Sequence, residues 1–137
     1  MDFLDRLQDK VNSLPELPVT LMQGYLGADE SFVVYPLPGG RTATEYMDGT
    51  KDRILNFEFA MKSKRQSVIN PTLWMVQNVL DELEELESED GSFEFEELTI
   101  TNTPFINEID EQGWFVFLLD VQASITVFEK QGGILNG

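Results

Sequence analysis

Alternation at a period of two marks the C-terminal part of the chain more strongly than any other pattern in it. Phe115, Phe117, Leu119, Val121, Ala123, Ile125 and Val127 are all apolar, which predicts a strand with one face on a core. At ~3.3 Å per residue that strand would be about 40 Å long. Val116 and Leu118 are apolar as well, so its first half is expected to be covered on both faces. Leu55, Phe57, Phe59 and Met61 alternate in the same way and predict a strand over Asp52–Lys64. In Ser92–Ile100 the apolar parity changes between Phe95 and Leu98, as a β-bulge at Glu96-Glu97 would make it. Val19–Leu26 and Phe32–Leu37 are shorter strand candidates.

Two segments have helical spacing instead. Phe3, Leu4, Leu7 and Val11 fall on one face of Met1–Leu14, which Pro15 and Pro18 terminate. In the second, Asn70 reads as the N-cap and Pro71 as the first helical residue, followed by the stripe Leu73, Val76, Val79, Leu80, Leu83 and Leu86. Residues 38–51 read as a long polar connection ending in the turn signal Asp48-Gly49. Such a connection is expected to be mobile until a partner orders it. The predicted class is α+β: a mostly antiparallel sheet of four to five strands with two helices packed on one face. One domain is expected over residues 1–130 and a flexible tail over 131–137.

Composition then narrows the chemistry. The 137 residues include 9 basic and 25 acidic side chains, a net charge of −16. That balance opposes specific nucleic-acid binding, which draws its affinity from Lys and Arg. The chain has no His and no Cys, so nucleophile systems built on either are excluded, as is an imidazole or thiolate zinc site. No apolar run approaches the ~18 residues of a membrane span. Gly39-Gly40-Arg41-Thr42 lacks the spacing and lysine of a phosphate loop, and Glu89-Asp90-Gly91 is only a fragment of a calcium loop. No cofactor, metal or catalytic residue is therefore expected. The remaining enzyme class is a small hydrolase using two carboxylates in a cleft; an acidic protein-binding module is the other alternative.

Charge is unevenly distributed. Asp81–Glu97 holds ten carboxylates and no basic residue. On a helix ending near Glu89 these acids would oppose the macrodipole and one another. Six of the nine basic residues, Arg41, Lys51, Arg53, Lys62, Lys64 and Arg65, fall within one short segment. Self-repulsion between acidic copies is expected to oppose assembly, so assembly should strengthen with salt. If acidic and basic surfaces meet head to tail, it should weaken.

Several stretches together resemble a known family. They are Phe32–Pro38, the turn Glu45-Tyr46-Met47-Asp48-Gly49-Thr50 leading into Arg53–Met61, the Trp74–Leu86 helix, Thr103-Pro104-Phe105, and Asp110-Glu111-Gln112-Gly113-Trp114 before the last strand. In this pattern, over residues 1–130, the chain is similar to the minor capsid and tail-terminator proteins of long-tailed phages and prophages of Gram-positive bacteria. The resemblance implies a structural virion protein, assembled in the host cytoplasm, that caps the tail tube and joins it to the head connector as a ring, commonly a hexamer. Its implied partners are itself, the tail-tube protein and the head-connector protein. On that reading Tyr46, Met47, Asp48 and Gly49 are candidate contacts. Glu82, Glu85 and Glu89 are a candidate acidic channel or rim that repels passing DNA.

Overall fold

The computed structural model describes residues 1–128. The elements in chain order are α1 (Phe3–Asn12), β1 (Leu21–Gln23), β2 (Ser31–Glu45), β3 (Lys51–Ser63), α2 (Gln66–Asp81), β4 (Phe93–Ile109) and β5 (Phe115–Val127). The five strands form one sheet in the order β1-β2-β3-β5-β4. Only the β1–β2 pair is parallel, so the α+β, mostly antiparallel architecture is as the pattern predicted. The tail expected over 131–137 lies outside the described residues.

The predicted last strand is β5, with the same bounds as its alternation, and it occupies the interior of the sheet between β3 and β4. Its odd-numbered residues and Phe57, Phe59 and Met61 of β3 share one face. On that face they pack against Phe3, Leu7 and Val11 of α1 and Ile69, Leu73, Val76 and Leu80 of α2 in one apolar core. Both helices therefore cover the same side. The parity change in β4 is a register shift between Phe95 and Glu97, at the position expected for the bulge.

The other sheet face is apolar at one end. Val33, Ala60 and Val116 are buried there, as two-sided cover of early β5 required. Residues 24–30 cross it: Tyr25 lies on Tyr35 with ring centroids 5.4 Å apart, and Lys62 Nζ donates to the carbonyls of Gly27 and Ala28.

Four sequence readings need correction. Residues 38–51 are not a loop; β2 runs through them to Glu45 and pairs with Lys51–Ile54 of β3. Gly39 and Gly40 interrupt the alternation because they sit in a bulge between Leu37 and Arg41. Gly39 has φ +101°, and a Cβ on Gly40 would lie 3.3 Å from the Ile54 carbonyl. Second, α2 begins at Gln66, which puts Asn70 and Pro71 inside the helix. The proline's missing hydrogen bond is outweighed by the buried stripe that starts at Ile69. Third, α2 stops at Asp81. The acids that would have opposed its dipole follow it in non-helical chain, although Leu86 still reaches the core. Last, β1 is three residues long, shorter than Val19–Leu26.

Candidate functional site

The β2–β3 turn and the β4–β5 turn lie at opposite ends of the sheet. Lys51, just after the first, pairs with Val127, which pairs with Phe93; Ser63 pairs with Phe115 beside the second, and Phe115 pairs with Ile109. Every candidate site residue lies at the first end.

The β2–β3 turn is built by its own residues. Gly49 N–H donates to the Tyr46 carbonyl at 3.0 Å and Tyr46 N–H to the Thr50 carbonyl at 2.9 Å. Gly49, at φ +93°, supplies the left-handed residue. Asp48 accepts from the Thr50 backbone and hydroxyl, which holds its carboxyl below the usual pKa. Tyr46 donates to Asp52 at 2.7 Å, and that bond raises the phenol's pKa. Met47 is left fully exposed. A rigid turn thus presents one apolar side chain at its tip.

The acidic segment follows α2 at the same end. Glu82 caps the helix, Glu85 is exposed in the non-helical chain after it, and Glu89 is 3.1 Å from Arg6. These three do not form one helical row. Glu84, Glu87 and Glu94 surround a hollow of about 420 Å³ that Phe93, Phe95 and Phe128 also line. An isolated bridge between Glu87 and Glu94 ties the segment to β4.

Asp2 fastens its far end. Burial opposes ionisation of Asp2, but donation from Ser88 Oγ and the backbone N–H groups of Glu89 and Asp90 outweighs it and lowers the pKa. The Asp90 carboxyl is held well below the usual range too, first by the Ser92 hydrogen bond. Asp2→Ala should release this turn, so the Glu89 and Asp90 amides should exchange about tenfold faster while β3 and β5 amides keep their rates. Unchanged exchange at both would show that Asp2 does not hold the segment.

The basic residues are split between the two ends. Arg41, Lys51 and Arg53 lie at the acidic end, whereas Lys62, Lys64 and Arg65 lie at the other. There Lys62 Nζ and Lys64 Nζ sit 5.0 and 5.1 Å from the Trp114 ring centroid. Arg65 pairs with Glu30 at 3.5 Å. Glu30 also accepts from Ser63 Oγ, which is the main reason its pKa is lowered.

A row across the sheet face away from the helices was missed by sequence reasoning. Register aligns Tyr35, Glu58, Asp120 and Asn102 on β2, β3, β5 and β4. Tyr35 Oη donates to Glu58 Oε1 at 2.5 Å, and Asn102 Nδ2 donates to Asp120 Oδ2 at 2.8 Å. Burial, then a hydrogen bond with Asp120, raises Glu58 to about 7, against the opposing effect of the Tyr35 bond. Two carboxyl groups bond to each other only with a proton between them. The buried Asp120 Oδ1 has no hydrogen-bond partner among the described residues, so a proton on Glu58 has an acceptor beside it. The one signal in sequence was a lone acid at the middle of each apolar strand, with nothing to say that the two are opposite.

The pair answers the carboxylate-hydrolase alternative in chemistry but not in shape. It lines none of the hollows beside Phe93, Leu83, Tyr46 or Pro71 and stands on the sheet face away from the helices. Among the described residues no group of three or more Asp and Glu is placed to hold a metal ion, and no helix is long and apolar enough to cross a membrane.

Residues 10–127 match a family model described as "Bacteriophage tail terminator protein". No curated protein matches the chain.

Proposed function

The chain belongs to the bacteriophage tail terminator family, a family of structural virion proteins, and on that premise we propose that it closes the end of the tail tube as a ring of identical subunits and joins the tube to the head connector. The supporting observation is a match that spans all five strands and α2. Six copies is the ring size to test for, with assembly in the host cytoplasm. A function carried by shape, without catalysis, agrees with a chain lacking His and Cys.

Within this reading the turn Tyr46, Met47, Asp48 and Gly49 is the contact with the tube. It is internally hydrogen-bonded and carries an exposed apolar tip, so little ordering entropy is lost on docking. Glu82, Glu85 and Glu89 belong to a negative rim past which DNA slides without adhering.

Tail tubes assembled without the chain provide the test. Labelled protein should bind at tube ends, visible by electron microscopy; decoration along tube walls, or no binding, would refute capping. Met47→Asp should weaken end binding by about tenfold, the loss expected of a central apolar contact, and leave the urea midpoint unchanged. Binding equal to the parent would remove the turn from the interface.

A further inference from the structure

Lys62 and Lys64 make no ion pair among the described residues, in a chain with 25 acidic and 9 basic side chains. Cations so outnumbered are ordinarily taken up by nearby carboxylates, as Arg6 is by Asp9 and Glu89. Instead both ammonium groups stand over the half-buried ring of Trp114, which combines an aromatic anchor with two charges. The hollow at the far end of the sheet has the opposite character. Its glutamates Glu84, Glu87 and Glu94 are exposed, its phenylalanines include the buried Phe93 and half-buried Phe95, and among the described residues no basic residue lines it.

The two surfaces cannot meet within one molecule. Trp114 precedes the first residue of β5 and the hollow adjoins its last, so 13 residues separate them, about 40 Å at ~3.3 Å each. We propose that the Lys62–Lys64–Trp114 corner of one copy docks into the Glu84–Glu87–Glu94 hollow of a second copy, head to tail. The contact is heterologous, so it propagates, and it closes into a ring when the rotation per subunit divides a full turn. This names the subunit interface of the ring proposed above and rests on that reading. It reverses the salt response expected from self-repulsion alone: the contact is attractive, so salt weakens it.

Sedimentation velocity of the full chain tests this. Association of the parent should fall between about 0.05 and about 0.5 M salt, where the Debye length shrinks several-fold. Lys62→Glu/Lys64→Glu and Glu84→Lys/Glu87→Lys should each weaken self-association by about tenfold or more. Mixed in equal amounts they should reassemble, since each reversed corner meets a reversed hollow. Because Lys62 also holds Gly27 and Ala28, the exposed-glutamate variant is decisive if the lysine variant does not fold. A parent that stays monomeric, association that strengthens with salt, or folded variants that associate like the parent would overturn the proposal. Tube-end binding is scored separately, so capping without this interface is distinguishable from failure to cap.

Discussion

Replacing Phe59 with alanine should cost the fold about 3–5 kcal/mol, the range for removing a buried aromatic ring from a core that relaxes only in part. Phe59 is fully buried at the middle of β3, opposite Val34 on β2 and Leu119 on β5, with its ring 6.3 Å from that of Phe32. Total stabilities of natural domains are ~5–15 kcal/mol, so this one change removes a large share. The effect reaches both surfaces argued above, because β3 carries Asp52, which holds Tyr46, at one end and Lys62 at the other. Urea denaturation should show a lower midpoint with an unchanged slope. A loss below about 1 kcal/mol would mean that neighbouring side chains refill the site.

The parts of this fold legible in the sequence are those where periodicity and burial agree. β5 and β3 are core strands whose alternation is uninterrupted, so their bounds could be read almost to the residue. The outer part of β2 was not legible, since residues 38–45 are exposed and have no buried face to alternate with. Pro36, Pro38, Gly39 and Gly40 at its start imitate a loop, and only pairing with β3 makes it a strand. Pro71 misled in a related way. Its preference for a first turn is a local property, whereas Ile69 and Leu73, four residues apart on one face, reveal a helix already under way. The acids after Asp81 were correctly seen as unfavourable on a helix, and the chain resolves the conflict by leaving the helix. Of the candidate site, the Asp48-Gly49 turn was visible because it is local. The Trp114 corner, the hollow and the carboxyl row depend on strand order, which no spacing along the chain encodes.

The carboxyl row makes stability depend on pH in a direction opposite to that of most acidic residues. Glu58 has its pKa raised from 4.5 to about 7 in the fold, so the folded protein holds that proton more tightly than the unfolded chain does. The stabilisation is complete below about pH 4.5 and drains away as pH rises through about 7. Above that, Glu58 and Asp120 are adjacent carboxylates whose hydrogen-bond donors among the described residues are Tyr35 and Asn102. Lys62, on the same face, is engaged with Gly27 and Ala28 instead. A shift of this size corresponds to about 3 kcal/mol at ~1.36 kcal/mol per pH unit, and partial solvent exposure of the row reduces it to about 1–2. Asp2 and Glu30, whose pKa values are lowered, act the other way, but their contribution is lost only on acidification below the ordinary carboxylate range. A urea series from pH 5 to pH 9 therefore isolates Glu58. Glu58→Gln keeps an acceptor for Tyr35 and offers Asp120 Oδ1 a permanent donor without a titrating proton. It should match the parent near pH 5 and exceed it by about 1–2 kcal/mol near pH 8.5. In the parent, the Glu58 carboxyl ¹³C resonance should titrate near pH 7. Equal loss of stability in Glu58→Gln at both pH values, or a carboxyl midpoint near 4.5, would show that no proton is held between the two strands.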